Sequence, residues 1–297
     1  MIILDGGLGR ELQAMGAPFR QPEWSALALI EGPEFVRAAH DAFLKAGADV
    51  VTTNSYAVVP FHIGEDLFAT RGKELLRLSG KLARVAANDA GRPVRVAASV
   101  PPMFGSYQPD KFDLNAASEM MYLFRDQLID YADLFLAETL SSVAEAELFL
   151  KLFSKSDLPV WLSVTINDVD VSIGKPQLRS GESLASILAI CDKLNPEALL
   201  FNCSQPEVME DAILMASKHF AGYNAPLIGV YANAFLLADE YYGGANESIY
   251  ELRKDITPEA YADYAQSWVV AGASIVGGCC GVSPAHIQCL KERLKLM

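Results

Sequence analysis

The 297-residue sequence lacks any long uninterrupted apolar run and any cluster of basic side chains. No apolar stretch reaches the roughly 18 residues that a transmembrane helix needs, so we expect no membrane span. Its 24 Lys and Arg residues are outnumbered by 37 Asp and Glu residues, which gives a formal net charge of −13. Because nucleic-acid binding needs a basic face that neutralises phosphates, we expect no nucleic-acid partner.

Histidine and cysteine are also scarce, with four and five residues respectively. The first residues, MIILD, contain no basic segment followed by a long apolar one, so we expect no secretory signal. An odd number of cysteines in a chain of this length does not suit a disulfide framework and favours metal binding or catalysis. We therefore expect a cytoplasmic protein.

What the sequence does have is a hydrophobic content of 51%, enough for a sizeable core, and a regular alternation of two patterns. Apolar runs of strand length occur eight times: Ile2–Leu4, Asp49–Thr53, Val94–Val100, Leu134–Ala137, Val160–Ile166, Ala198–Phe201, Leu227–Tyr231 and Ser274–Val276. Segments with helical spacing follow them: Pro33–Ala46, Glu65–Asp89, Asn115–Tyr131, Val143–Ser154, Glu182–Leu194, Pro206–His219, Pro258–Ala271 and Pro284–Leu296.

This alternation predicts an α/β fold with a parallel sheet and right-handed crossovers. Eight units in a chain of this size predict a (β/α)8 TIM barrel that forms a single domain over residues 1–297. A doubly wound open sheet is the alternative, but its first turn usually carries a G-x-G-x-x-G fingerprint, which DGGLG after the first strand does not match. Long loops follow strands three, five and seven, and they predict a functional face at the carboxyl ends of the strands.

Three cysteines fall at these strand ends, Cys203 after strand six and Cys279 and Cys280 after strand eight. Three thiolates with one open position are a ligand set that suits catalytic zinc. Adjacent residues in a regular strand face opposite ways, so the pair can share an ion only if the strand breaks there. Flanking glycines would permit that break. The alternative is that the cysteines are small core residues.

The remaining cysteines, Cys191 and Cys289, lie inside helical segments, where we expect them to be structural. Two carboxylates, Asp5 and Glu138, end apolar strands and need a partner if buried. They could receive a substrate ammonium, or they could form an internal salt bridge or a helix cap. Backbone N–H groups around Gly7 could bind a carboxylate or could only form a tight turn.

Several motifs resemble those of the homocysteine S-methyltransferase family, and the resemblance covers nearly the whole chain. The motifs are DGGLGREL from Asp5, TNSY from Thr53, Glu138-Thr139, Asn202-Cys203 and GGCC ending at Cys280, the last being the most specific. Members of this family have the barrel fold, bind zinc through three cysteines and transfer a methyl group to homocysteine, giving methionine.

The resemblance implies three zinc ligands that are also the catalytic residues: Cys203, Cys279 and Cys280. It implies five substrate-binding residues: Asp5, Gly7, Asn54, Glu138 and Asn202. Asp5 and Glu138 would hold the amino group of homocysteine, and amides near Gly7 would hold its carboxylate. The partners would be homocysteine and a methyl donor, and the chain would be a monomer or small homo-oligomer.

The chain ends about one helix after the cysteine pair and resembles the short members that use S-methylmethionine or S-adenosylmethionine. Departures from the family pattern at Phe201, at Pro101-Pro102 and after Tyr231 leave a betaine-type donor or another thiol acceptor open. A hydrolytic zinc enzyme and a non-enzymatic zinc or redox sensor are further hypotheses. Aromatic rings attract cations, and six could face the donor: Tyr56, Phe104, Tyr107, Tyr231, Tyr241 and Tyr242.

Overall fold

A computed structural model of the chain describes residues 1–169, 174–222, 225–236 and 251–295. The strands are β1 (Ile2–Ile3), β2 (Val50–Thr52), β3 (Arg95–Val100), β4 (Leu134–Leu140), β5 (Val160–Val164), β6 (Ala198–Asn202), β7 (Leu227–Tyr231) and β8 (Ile275–Val276). The helices are α1 (Leu8–Ala14), α2 (Ser25–Glu31), α3 (Pro33–Ala46), α4 (Pro60–Ile63), α5 (Glu65–Asp89), α6 (Leu114–Leu128), α7 (Val143–Phe153), α8 (Leu184–Leu194), α9 (Met209–His219), α10 (Pro258–Ala271) and α11 (Pro284–Leu294).

The eight strands are all parallel and follow one another in the order β1-β8-β7-β6-β5-β4-β3-β2. A single parallel bridge between Leu4 and Val50 joins β1 to β2, and the Asp5 N–H donates to the Val50 carbonyl at 3.0 Å. The sheet thus closes on itself with helices outside, which confirms the predicted (β/α)8 barrel. The bridge between Leu4 and Val50 joins the two end strands of this row and so rules out an open sheet.

Local signals explain where the helices begin and end. Ser142 and Glu145 form a reciprocal capping box at the start of α7, and Thr257 caps α10 with a proline in the first turn. At the other end of α3, Gly47 takes a φ of 108°, a conformation that favours glycine after a helix. Helix α3 therefore ends at Gly47, and the chain can turn directly into β2.

The core has two layers. Inside the barrel, ten buried residues form one cluster: Leu4, Val50, Ala97, Leu134, Leu136, Trp161, Ala198, Leu200, Tyr231 and Ile275. A second, larger cluster fills the space between the strands and the surrounding helices. Large side chains such as Trp161 fill the interior of the barrel, and a cavity opens at the carboxyl ends of the strands.

The predicted elements agree with the structure except near the site. Prediction missed the short helices α1, α2 and α4, and it ended β4 at Ala137, whereas the strand continues to Leu140 through an irregularity in its register. Two predicted donor contacts, Tyr241 and Tyr242, lie outside the described residues. Among the described helices, none combines the length and apolar character required to cross a bilayer.

Candidate active site

A cavity of about 140 Å³ opens at the carboxyl ends of the strands. All eight residues that the sequence predicted for the site line it: Asp5, Gly7, Asn54, Glu138, Asn202, Cys203, Cys279 and Cys280. The structure therefore brings together residues that lie far apart in the sequence and on opposite sides of the barrel.

The three strand-end cysteines converge at one side of this cavity. Their sulfur atoms all lie within 4.8 Å of one another, and Cys279 Sγ is 3.1 Å from Cys203 Sγ. Zinc–sulfur bonds of about 2.3 Å would let three such sulfurs share one tetrahedral ion. The donor set, three soft thiols on two chain segments, suits a bound metal, and Cys203 is only 5% exposed.

Unusual backbone conformations in the Cys203 segment and in the Cys279–Cys280 segment orient the three sulfurs toward one point. Cys203 has a φ of 55°, in the left-handed region that a non-glycine residue rarely adopts. On the other segment, β8 ends at Val276, and Gly281 has a φ of 83°. The Cys279 N–H donates to the Ala232 carbonyl at 2.9 Å, and Cys280 accepts from the Ala234 N–H at 2.8 Å. The predicted break in strand eight is therefore present, and it lets adjacent cysteines face one point.

Gly7 lies directly against the cysteine pair. A Cβ atom at this position would sit 2.5 Å from the Cys279 carbonyl oxygen and 3.1 Å from the Cys280 Cα. The Gly7 N–H donates to the Val282 carbonyl at 2.9 Å, which ties the first turn to the segment after the cysteines. Only glycine permits this close approach, so β1 and β8 position the sulfurs together.

A buried ion pair in the loop after β5, between Arg179 and Asp168, supports the turn at Cys203. Arg179 binds Asp168 at 2.9 Å and donates to the Cys203 carbonyl at 3.0 Å, while its guanidinium lies 4.2 Å from the centre of the Tyr107 ring. Asp168 in turn accepts from the Gln205 N–H at 2.9 Å. The pair thus holds the backbone that follows the strained residue, and sequence reasoning did not detect it because Arg179 lies in the long loop after β5, well beyond the strand end.

The cysteine sulfurs also interact electrostatically. Hydrogen bonds donated by Cys279 and Cys280 hold the pKa of the Cys203 thiol below its usual range. The same donation, together with burial, raises the pKa of Cys279. One sulfur is therefore prepared to carry negative charge, as a metal-binding thiolate must.

Two carboxylates line the same cavity as the sulfurs. Asp5 accepts from the Thr52 N–H at 2.7 Å and from the Thr52 hydroxyl, and burial raises its pKa to about 8. Glu138 accepts from the Ser99 hydroxyl, and burial raises its pKa to about 7. In the described part of the chain no Lys or Arg pairs with either group, so the predicted alternative of an internal salt bridge is not observed.

A bulge in β4 turns Glu138 into the cavity. The pairing of β4 with β5 shifts between Ala137 and Leu140, and Thr139 takes a φ of 62°. Asn202 holds this shape, because its Oδ1 accepts from the Thr139 N–H at 3.0 Å and its Nδ2 donates to the Thr139 hydroxyl at 2.9 Å. Asn202 thus links the two strained turns that carry Glu138 and Cys203.

The other predicted positions divide into those that face the cavity and those that do not. Asn54 lines it, and its Nδ2 donates to the Ser25 carbonyl at 3.0 Å. Tyr56, Tyr107 and Tyr231 also line it, whereas Phe104 packs against the outer core. Further lining residues that the sequence did not point to include Arg10, Trp24, His62, Ser106 and Phe235.

Cys191, which was expected to be structural, and His286 both lie outside the sulfur cluster. Cys191 is buried in α8, where burial raises its pKa to about 12. His286 contacts Ser283 at the start of α11 and the Ile256 carbonyl at 3.0 Å. Neither joins the sulfur cluster.

Comparisons with known proteins agree with this geometry. The sequence model of the family "Homocysteine S-methyltransferase" matches residues 2–294. Homocysteine S-methyltransferase 1 of Zea mays is 29% identical over 99% of this chain and 94% of its own length. Homocysteine S-methyltransferase of Escherichia coli is 30% identical over 99% of this chain and 95% of its own.

The crystal structure of the Escherichia coli homocysteine methyltransferase MmuM, in its metallated form, superimposes with a TM-score of 0.78 at 28% identity. The match covers 99% of this chain and 96% of that one. Sequence and fold agree over the whole barrel, including the strand ends that carry the cysteines. The chain therefore belongs to the homocysteine S-methyltransferase family.

Proposed function

We propose that this protein transfers a methyl group from a sulfonium donor, S-methylmethionine or S-adenosylmethionine, to the thiol of homocysteine and releases methionine. The observation that carries the proposal is the convergence of three thiols beside two buried carboxylates that lack a cationic partner in the described chain. Homocysteine has a thiol at one end and an ammonium group at the other, so it complements both features. Family membership supports the same reaction.

Cys203, Cys279 and Cys280 would hold the metal, which we propose to be zinc because three thiolates favour a soft or borderline ion. Zinc bound there lowers the pKa of a thiol that reaches it and so makes the nucleophile available at neutral pH. This chemistry needs no general base, because coordination itself would lower the pKa of the thiol.

Asp5 and Glu138 would bind the ammonium group of homocysteine. Both carboxylates lose hydration on folding, which raises their pKa values, and an ammonium ion would supply the missing opposite charge. For the carboxylate of homocysteine, the Gly7 N–H is already donated to Val282. The N–H groups of its neighbours Gly6 and Leu8 have no acceptor among the described residues, and we propose that they take this role.

The methyl transfer itself is a displacement at carbon. The sulfur of homocysteine, having lost its proton, attacks the methyl carbon; a new S–C bond forms as the bond from methyl to the donor sulfur breaks. The electron pair leaves with the donor, which becomes a neutral thioether. Trp24, Tyr56, Tyr107 and Phe235 line the cavity with aromatic surface that would stabilise the sulfonium charge and exclude water.

The test is to incubate purified protein with homocysteine and each of three donors, S-methylmethionine, S-adenosylmethionine and betaine, and to measure methionine. We expect methionine from a sulfonium donor and about one zinc per chain. Cys203→Ser should lose the metal and reduce the rate by more than about 100-fold, since even residues behind the ligands cost 10- to 100-fold.

Cys191→Ser is the matched control, because Cys191 is a buried thiol in α8 away from the cluster. It should keep both zinc and activity. If Cys203→Ser retained stoichiometric zinc, the proposed ligand set would be wrong. If only betaine gave methionine, the donor assignment would be wrong while the acceptor assignment stood.

A further inference from the structure

One wall of the cavity carries a histidine to which the proposed chemistry gives no role. His62 lies on α4, after β2, and is 2% exposed. It lines the cavity together with Trp24 and Tyr56, and its ring lies edge-on to that of Tyr56 with centres 6.5 Å apart. Helix α4 follows β2 after one loop, whereas the sulfurs and the carboxylates lie directly at strand ends.

The hydrogen bonding of the ring fixes its tautomer. His62 Nδ1 lies 2.7 Å from the Pro22 carbonyl oxygen, and because a carbonyl can only accept, Nδ1 carries the proton. Nε2 is then a lone-pair acceptor. It is buried and has no hydrogen-bond partner in the described part of the chain.

The ring stays neutral under ordinary conditions. Burial lowers the pKa of His62 to about 4, so at neutral pH the imidazole is uncharged and Nε2 remains an acceptor. Buried polar atoms in folded proteins nearly always have a partner, so an unpaired acceptor on a side chain that lines a binding cavity is a position where a ligand can supply one.

The acceptor substrate does not account for this atom. Its thiol, ammonium and carboxylate groups are assigned to residues that lie at strand ends or in the turn after β1. The wall formed by His62, Trp24 and Tyr56 is therefore left for the second substrate.

We propose that His62 Nε2 accepts a hydrogen bond from an N–H or O–H group of the methyl donor. The inference rests on the proposed function and adds a specificity-determining residue to it. It favours sulfonium donors that carry such a group, either the ammonium of an amino-acid sulfonium or the hydroxyl and amino groups of a nucleoside sulfonium. A donor that lacks N–H and O–H groups would gain nothing from His62.

His40 provides a matched control. It is also a fully buried histidine, neither ring nitrogen has a hydrogen-bond partner among the described residues, and burial lowers its pKa to about 4 as well. It lies in α3 and does not line the cavity. The same substitution at the two positions separates loss of a ligand contact from loss of a buried imidazole.

The experiment compares His62→Phe, His62→Gln and His40→Phe with the wild type. The probes are S-methylmethionine, S-adenosylmethionine and dimethylsulfoniopropionate, which has a sulfonium and a carboxylate but no N–H or O–H group. Affinity is taken as KM at saturating homocysteine, or as an inhibition constant where the probe is not turned over. Zinc content and thermal unfolding are recorded for every variant.

For His62→Phe we expect about a tenfold loss of affinity for S-methylmethionine, S-adenosylmethionine or both, the loss of one hydrogen bond. The donor that is affected identifies which of the two groups the ring binds. Affinity for dimethylsulfoniopropionate, the KM for homocysteine and the zinc content should change by less than about twofold. His62→Gln, which keeps an acceptor, should recover most of the loss, and His40→Phe should show none.

Equal losses for all three probes, no loss for any, or a changed KM for homocysteine would overturn the inference. If His62→Phe does not fold, His62→Leu, which also lacks an acceptor, takes its place in the same comparison, and affinities that do not separate the probes there would overturn the inference. A wild-type protein that makes no methionine from any donor would overturn the proposed function, and the inference with it.

Discussion

The two ends of the barrel carry the same kind of residue in opposite electrostatic states. At the amino ends of the strands, three carboxylates each pair with a cation: Asp49 with Lys291 at 2.7 Å, Asp133 with Arg84 at 2.7 Å and Glu197 with Arg95 at 3.4 Å. At the carboxyl ends, Asp5 and Glu138 have only hydroxyl and amide partners within the described chain, and burial raises the pKa of both.

The difference shows how one fold separates stability from function. Two of the paired carboxylates also accept backbone N–H bonds, Asp49 from Ile3 at 3.1 Å and Asp133 from Val96 at 2.7 Å, so they join neighbouring strands. The unpaired ones are costly in the free protein and become favourable only when a ligand supplies a positive charge. Substitutions at matched positions on the two ends can test this contrast.

The largest expected effect is that of Glu138→Gln. Removing one partner of a buried charge pair costs several kcal/mol of binding, so kcat/KM for homocysteine should fall by about 100- to 1,000-fold. Glu197→Gln, at the opposite end, should leave kcat/KM unchanged in the same methionine assay. Equal losses of kcat/KM in Glu138→Gln and Glu197→Gln would show that the carboxylates at the two ends do not differ in function.

Gly7→Ala should come next, with a loss of metal affinity of about 10- to 100-fold, comparable to the loss of a residue that orients a ligand. The added Cβ would meet the Cys279 carbonyl oxygen, a backbone atom that cannot move without shifting the sulfur. Competition with a chelator measures this affinity. Gly222→Ala, where nothing lies within 4 Å, is the control, and a Gly7→Ala protein with unchanged affinity would show that the turn is not a template for the metal.

Asp5→Asn should stabilise the free protein while it weakens homocysteine binding. The folded-state pKa of about 8 lies above the usual 3.8, so the stability that Asp5 contributes is complete below about pH 3.8 and is lost as the pH rises towards 8. The variant should therefore gain roughly 1–3 kcal/mol in unfolding free energy over the wild type between pH 4 and pH 8. Denaturant unfolding at several pH values measures the gain.

Asp49→Asn is the counterpart at the amino end and should destabilise the protein, because it removes the ion pair with Lys291 and weakens the bond from the Ile3 N–H. A pH-independent difference between Asp5→Asn and wild type would mean that Asp5 titrates normally in the folded state.

The smallest effect should be that of Arg95→Gln. The ion pair with Glu197 is long and about one-third exposed, and such pairs contribute less than about 1 kcal/mol. The guanidinium also lies 5.2 Å from the Trp161 ring, so a loss of a few tenths of a kcal/mol is expected from both contacts together. Thermal unfolding should register it, and kcat/KM should not change.

Much of the fold could be read from the sequence because periodicity reports burial. The run Leu227–Tyr231 and the helices Pro33–Ala46, Glu65–Asp89 and Pro258–Ala271 were predicted to the residue, since apolar spacing, prolines and glycines mark them. The short helices α2 and α4 were missed because seven and four residues are too few to show a period. The cysteines were found because glycines flank them at a strand end.

The site could be predicted only where polarity and strand ends coincide. The bulge at Thr139 and the left-handed backbone of Cys203 have no local sequence mark, since neither residue type favours that conformation. Their cause is tertiary: Asn202 and Arg179 hold them from other strands and loops. The sequence analysis missed His62 for a different reason: this residue lies away from every predicted strand end, and only the closed barrel brings it to the cavity.

The short seam between β1 and β2 has one further consequence. A single bridge from Leu4 to Val50 joins these strands, and the Asp5 side chain spans the gap by accepting from the Thr52 N–H. The Asp5 carboxylate, which we propose to bind the substrate ammonium, therefore also helps to hold β1 against β2. Local opening of the β1–β2 pairing and binding of homocysteine are then thermodynamically coupled. The Thr52 amide should therefore exchange its hydrogen more slowly once homocysteine is bound.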